Sequence, residues 1–282
     1  MSKDTGSSYT NYAATHRTYD LTRLAVAGEQ IVELLKQQAP LEQITLLDAG
    51  CGTGLHLQCF HAAGVGKLIG VDPSPTGLEQ CRRKLLHAPN VELRAGDIRS
   101  LPLADSSVDV AFFSYVLHHL PSETQQRQRA ETRLAIREAW RVLRPGGRLI
   151  ILTCCREQLD PEEGSIWYYR YFPEAAASLS RRFMPDVKLR ALLSGCRFQN
   201  IRKVSVEQTY YTQQSLNPLG PIDESWRNGD SLFTYYKWRP AALARRLRAL
   251  ESDIGEVERW ITATVKRTET LKQGILILAN KA

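Results

Sequence analysis

Long apolar runs are missing from this chain. The longest fully apolar stretches are only a few residues, as in Leu149–Leu152. A membrane-spanning helix needs roughly 20, so no membrane span is expected. Met1 to Ser8 are polar and lack the apolar stretch of a secretory signal; they read as a short disordered tail. Cysteine is sparse. The six (Cys51, Cys59, Cys81, Cys154, Cys155 and Cys196) include no CxxC pair. That argues against a disulfide framework or a zinc site, and it fits reduced thiols and a cytoplasmic location. No metal is expected. Glycine and proline, at 18 and 13, are too few for a collagen-like or low-complexity chain.

What is present is ordinary globular composition: 43% hydrophobic and 24% charged over 282 residues. At roughly 100–200 residues per domain, this is one large domain or one domain with a sizeable insertion. The net charge of +7 permits acidic partners without establishing them. The arginines along 127–148 and 239–248 read as solvated helix faces. No basic run interleaves with aromatics as a single-strand-binding platform would, so a nucleic-acid partner is not expected.

Periodicity gives the organisation. Thr22 to Gln38 places Leu24, Ala27, Ile31 and Leu35 at helical spacing and stops at Pro40. Ile44 to Leu47 is a buried-strand run, and Leu55 to Ala63 reads as a helix. Lys67 to Val71, Val91 to Arg94, Val108 to Ser114 and Arg148 to Thr153 read as strands. Helices over Pro75 to Leu86 and Arg129 to Leu143 lie between them. Beyond, Asp186 to Ser194 reads as a helix with Asp186 as its cap, and Ile201 to Tyr211 as a strand. Leu243, Leu247, Leu250, Ile254, Val257 and Ile261 form one amphipathic helix stripe, a core-packing surface or else a homodimer seam. Ile275 to Ala279 is a last strand. Alternating strands and helices imply an α/β, doubly wound, mostly parallel sheet. In such sheets ligands bind at the carboxyl ends of the strands.

The polar features fall at those ends. The first strand runs into Asp48-Ala49-Gly50-Cys51-Gly52-Thr53-Gly54. Glycines there let a ligand approach backbone that a side chain would block, and the next helix offers free N–H groups. The spacing is GxGxG, against the GxGxxG of a dinucleotide site, which disfavours a nicotinamide-dependent oxidoreductase. Asp72 ends the second strand and can accept from both hydroxyls of a ribose. Asp97 ends the third, with Ile98 beside it.

Six segments occur together in order: Leu47–Gly54, Gly70–Ser74, Gly96–Ile98, Leu101–Asp109, Ser114–Leu120 and Leu143–Gly147. Over about residues 44–153 the chain resembles the class I S-adenosylmethionine-dependent methyltransferases. It is most similar to the small-molecule branch of the ubiquinone and menaquinone type. The resemblance implies a Rossmann-like seven-stranded sheet with an antiparallel last strand, and S-adenosylmethionine as cofactor. It assigns the Gly50–Gly54 loop, with Gly50, Cys51, Gly52 and Gly54, to the methionine part. Asp72 would hold the ribose, Asp97 and Ile98 the adenine, and Ser114 would face the methionyl end. Asp48, Ala49, Pro73 and His119 complete the cofactor-binding set. Tyr12, Tyr19 and Arg23 stand where an N-terminal lid would close.

Methyl transfer is an in-line displacement that needs the nucleophile about 3–3.5 Å from the methyl. A sulfonium favours aromatic faces. Tyr19, Tyr115, Trp167, Tyr168, Tyr169 and Tyr171 are candidates for that wall. Tyr12, Tyr115, Trp167, Tyr168 and Tyr171 are expected to line the substrate; for the aromatics at 167–172 the equal alternative is a satellite core. His118 and His119 are the candidate catalytic bases; the alternative is a packing role. The main expectation is a methyltransferase acting on a small molecule. Its rivals are an RNA or protein acceptor and a non-catalytic cofactor-binding partner. The expected layout is a tail and helical lid (1–40), cofactor-binding core (41–155), substrate-side segment with the sixth strand (156–212), helical insertion (213–273) and final strand (274–282). The sixty-residue insertion departs from the family, whose link there is short.

Overall fold

A computed structural model describes Tyr19, Asp20 and residues 22–282. In chain order its main elements are α1 (Gly28–Lys36), β1 (Thr45–Ala49), α2 (Leu55–Ala62), β2 (Lys67–Asp72), α3 (Pro75–Lys84) and β3 (Val91–Ala95). There follow β4 (Val108–Ser114), α4 (Gln125–Val142), β5 (Leu143–Thr153), α5 (Pro173–Ser180), α6 (Asp186–Gly195) and β6 (Phe198–Ser205). The chain ends with α7 (Glu224–Asn228), α8 (Pro240–Ser252), α9 (Ile254–Leu271) and β7 (Ile275–Lys281).

The seven strands form one sheet in the order β3-β2-β1-β4-β5-β7-β6. Pairings from β3 to β5 are parallel. β7 runs antiparallel to both β5 and β6, as the resemblance implies. Adjacent residues of the central strands point to opposite faces, and each face has its own core. Leu47, Ile69, Ala111, Phe113, Ile151 and Ile277 join Ala135, Ile136 and Ala139 of α4 and Leu189, Leu192 and Leu193 of α6. Leu46, Leu68, Val110, Phe112, Ile150 and Leu276 join Ile31 and Leu35 of α1, Leu57 and Phe60 of α2, and Leu78 of α3. Burial on both faces explains why these strands read as unbroken apolar runs. The edge strand β6 is mostly exposed.

A third core lies off the sheet. Trp167, Tyr168, Tyr171, Phe172 and Leu179 pack with Trp226, Phe233, Tyr236, Leu250 and Val257. The segment after β5 and the insertion before β7 therefore fold together as a cap.

Several elements differ from the periodicity reading. The expected Thr22–Gln38 helix is interrupted: Thr22 is helical, Arg23 to Ala25 are not, and α1 starts at Gly28 after Ala27 takes a left-handed φ of 59°; Leu24 is 42% exposed rather than part of a stripe. β6 covers Phe198–Ser205, so the expected strand to Tyr211 ends six residues early. Asp186 does not cap α6. It lies in the first turn and pairs with Lys203 at 3.2 Å. The single long helix is two, α8 and α9, broken at Asp253. Its stripe crosses the break because Leu250 and Val257 are both fully buried in the third core.

Candidate active site

β1 and β4 are neighbours in the sheet, with β2 on one side and β5 on the other. The sheet's direction of winding reverses there, and such a switch point leaves a crevice at the strands' carboxyl ends. A cavity of 280 Å³ lies at that place. Every parallel strand but β3 delivers residues to it directly from its end: Asp48 within β1 and Gly50–Thr53 after it, Asp72 and Pro73 at β2, Ser114 and Tyr115 at β4, and Cys154 after β5. Asp97, Ile98 and Arg99 arrive from the turn beyond β3.

The glycine loop is shaped from within the protein. Gly50 has φ +88°, and a Cβ there would sit 2.5 Å from Val116 Cγ2. Only glycine satisfies both the left-handed backbone and that contact. Gly52 donates its N–H to Asp72 Oδ2 at 2.8 Å, and Ser74 donates to Asp72 Oδ1 at 2.8 Å. The second strand's carboxylate thereby ties the loop to β2. Each of its oxygens keeps one acceptor site for a ligand. Burial pushes the Asp72 carboxyl up to about 6, against the lowering by those two N–H groups.

Asp48 is 1% exposed, and its Oδ1 has no hydrogen-bond partner among the described residues. Burial, with the Asp72 charge adding, pushes its carboxyl up to about 8. An orphaned buried acceptor on the cavity wall suits a ligand that brings a cation or a donor.

Two anchors bring the N-terminal strap to the cavity. Thr53 Oγ1 donates to Asp20 Oδ1 at 2.6 Å, and Lys84 pairs with Asp20 as well. Arg23 donates to Asp230 Oδ2 at 2.7 Å. Tyr19, Thr22 and Arg23 of this strap line the wall.

On the side facing the cap, His118 is buried and stacks on Phe183 with centroids 4.1 Å apart. His119 lies against it at 3.9 Å. Burial holds the His118 imidazole well below its usual range, with His119, Arg182 and Arg23 adding to the effect. It is a neutral ring at physiological pH. Burial pushes the Cys154 thiol up to about 12, so it stays protonated and is no nucleophile. Tyr115 has φ 48°, an unusual backbone state for a bulky residue. Its hydroxyl donates to Gln273 O at 3.2 Å.

Of the residues singled out in the sequence, Tyr19, Arg23, Asp48, Gly50, Cys51, Gly52, Asp72, Pro73, Asp97, Ile98, Ser114, Tyr115, His118, His119 and Tyr169 line this cavity. Ala49 and Gly54 do not. Ala49 is fully buried in the first core, and Gly54 starts α2 against Cys81. Trp167, Tyr168 and Tyr171 are not on the wall either. They belong to the third core, with Trp167 Nε1 donating to Ser215 O at 2.9 Å and the Tyr168 hydroxyl donating to Asp230. Tyr12 lies outside the described residues. Asp97 is on the wall but already holds Arg99, whose Nε lies 3.0 Å from both its oxygens. Sequence reasoning missed Tyr210, Ser231 and Gln273, which reach the cavity wall from 210–273, and Asp230, which holds the wall residue Arg23 from behind. The Asn228-Gly229-Asp230 turn was a local signal, but nothing local told where it would point.

Residues 47–151 match the methyltransferase-domain family. A tRNA U34 carboxymethyltransferase of Saccharophagus degradans is 31% identical over 189 residues, 64% of this chain and 53% of that protein. A demethylmenaquinone methyltransferase of Desulfitobacterium hafniense is 28% identical over 183 residues, 56% of this chain and 69% of that protein. The fold superposes on a methyltransferase of an antibiotic biosynthesis pathway from Anabaena variabilis, with a TM-score of 0.67 and 22% identity. That match covers 89% of this chain and 96% of the other. The chain spans about half the length of the tRNA-modifying relatives it matches.

Proposed function

Residues 47–151 match the methyltransferase-domain family, and from that premise we propose that the protein is a class I S-adenosylmethionine-dependent methyltransferase that moves a methyl group from S-adenosylmethionine to a small, uncharged acceptor. The bound cofactor supplies an electrophilic methyl on a positive sulfur. The residues present fit it. The unpartnered Asp48 Oδ1 suits the cofactor's ammonium. Asp72 has acceptor capacity left for the ribose hydroxyls. Ile98, 4% exposed on the wall, offers an apolar surface to the adenine.

The acceptor class rests on one observation. The two arginines among the described lining residues are both neutralised: Arg23 by Asp230, and Arg99 by Asp97 and Glu131. The wall facing the cap offers instead Tyr115, His118, Cys154, Ser165, Ile166 and Phe183. A phosphate or carboxylate would lose its hydration there and gain no cation. A neutral molecule with one polar group loses little. The neutral His118 ring is the group able to take a proton from the acceptor as the new bond forms. Enclosure by strap and cap excludes water from the reacting atoms.

A tRNA acceptor is the second reading. Arg129, Arg133 and Arg137 follow one another at four-residue spacing along α4, and none has a carboxylate ion-pair partner among the described residues. Such a row attracts phosphates. One experiment separates the readings: methyl-tritiated S-adenosylmethionine incubated with the protein and either a panel of small aromatic alcohols and amines or bulk tRNA. Label in the small-molecule fraction is expected. Label confined to precipitated RNA overturns the acceptor and keeps the transfer. Absence of S-adenosylmethionine binding overturns both.

A further inference from the structure

The sixty-residue insertion places one buried carboxylate behind the cavity wall, on a residue that lines it. Asp230 is 4% exposed and follows the Asn228-Gly229 turn. Its Oδ1 accepts from Leu232 N at 2.8 Å and so starts the 3-10 turn Ser231–Tyr236. Its Oδ2 accepts from Arg23 Nη2 at 2.7 Å and from the Tyr168 hydroxyl. Ser231, next in the chain, is on the cavity wall. One carboxylate thus joins the strap, the aromatic cap and the insertion across 207 residues of chain.

The cation it holds is central. The Arg23 charge reaches Tyr115 beyond β4, His118 in the following turn, Cys154 beyond β5, and Tyr168 and Tyr169 in the cap. An uncompensated guanidinium on the wall, its side chain about a third exposed, opposes any second positive charge in the same cavity. S-adenosylmethionine carries such a charge on sulfur. Its demethylated product, S-adenosylhomocysteine, has a neutral sulfur and is otherwise alike.

We propose that Asp230 is a positioning residue that cancels the Arg23 charge and fixes the guanidinium against the strap, so that the insertion sets the preference of the site for the sulfonium cofactor over its neutral product. This rests on the cofactor reading above. It also gives the insertion a role in the site that the core domain cannot fill, since residues 47–151 contain no partner for Arg23.

The test is the ratio of the affinities of S-adenosylmethionine and S-adenosylhomocysteine, measured by calorimetry on the full chain. Asp230→Asn is expected to lower that ratio about tenfold, the size of one unit of charge interaction across a protein site. Arg23→Gln leaves Asp230 uncompensated and is expected to raise it. The double variant returns it to the wild-type value. A role in holding the cap together, with no effect of charge, predicts equal weakening of both ligands by Asp230→Asn, and that result overturns the proposal. Should Asp230→Asn fail to fold, an unchanged or lowered ratio in Arg23→Gln overturns it by itself. Wild-type protein that binds neither ligand removes the cofactor reading and this inference with it, a result distinct from wild-type binding with insensitive ratios.

Discussion

Asp48 and Asp72 stand on adjacent parallel strands with both carboxyls buried, and the charge of one raises the proton affinity of the other. The pair is differently equipped. Asp72 accepts two backbone N–H groups, while Asp48 Oδ1 accepts none. That asymmetry explains why the Asp48 carboxyl lies at about 8 and Asp72 at about 6.

A pH dependence follows. The folded protein keeps the Asp48 proton up to about 8, whereas an unfolded aspartate loses it near 3.8. Above the lower value the unfolded state releases a proton that the folded state retains, so stability falls as pH rises from about 4 to about 8. Thermal unfolding of the ligand-free protein between pH 5 and 8.5 is expected to show that decline, flattened in Asp48→Asn. A ligand ammonium favours the ionised form. Binding of S-adenosylhomocysteine at pH 7 should therefore release a proton, seen as a dependence of the calorimetric heat on buffer ionisation, and Asp48→Asn should abolish most of it.

His56 acts in the opposite direction. It is buried, its ring packs edge-on against Phe112 at 4.9 Å, and its Nε2 lies 3.0 Å from Val26 O. Burial lowers the imidazole to about 4, only partly offset by that carbonyl. The unfolded ring takes up its proton near 6.5, so stability is lost as pH falls from about 6.5 to about 4. His56→Gln is expected to flatten the acid limb of the same thermal curve and leave the limb above pH 7 unchanged.

Gly54 begins α2 at φ +83°, and a Cβ there would run into Cys81 Sγ. Gly54→Ala combines a left-handed alanine, about 1–2 kcal/mol, with overpacking of about 1–3 kcal/mol. A loss of about 2–5 kcal/mol in urea unfolding is expected. Cys81→Ala in the same background should recover part of it, because it opens the space but leaves the backbone strain. No recovery would show that the contact is irrelevant.

The cap should respond separately from the sheet. Leu250 is fully buried in the third core, and Leu250→Ala is expected to cost about 2–5 kcal/mol. Local opening then takes the cap before the sheet. Hydrogen exchange should accelerate over 226–236 and leave β1, β4 and β5 protected. Equal acceleration everywhere would mean that cap and sheet form one cooperative unit.

Much of this was legible in the chain because it is local. β4 covers Val108–Ser114, the very residues its apolar run marked, since a strand buried on both faces cannot hide its pattern. Asp48, Gly50, Gly52 and Asp72 were legible for the same reason: a strand end and a tight turn are fixed by neighbours in sequence. The misreadings are tertiary overrides. The stripe from Leu243 to Ile261 is regular although the helix breaks at Asp253, because Leu243, Leu247, Leu250, Val257 and Ile261 face one core from both halves, while Ile254 at the break is 38% exposed. Trp167, Tyr168 and Tyr171 are aromatic for the cap rather than for the cavity. An aromatic residue has the same character in either place, so composition cannot tell them apart.

The alternating layers, the glycine loop and the carboxylates at the strand ends are readable from the residues alone, because each depends on positions a few apart. That Arg23 meets Asp230, that Tyr115 meets Gln273 and that Ser231 and Gln273 of the insertion line the cavity is settled by the fold. Those contacts join residues far apart in the chain. A buried carboxylate such as Asp230 and a half-buried hydroxyl such as that of Tyr115 need a polar partner wherever the fold brings one, and no short-range pattern encodes which.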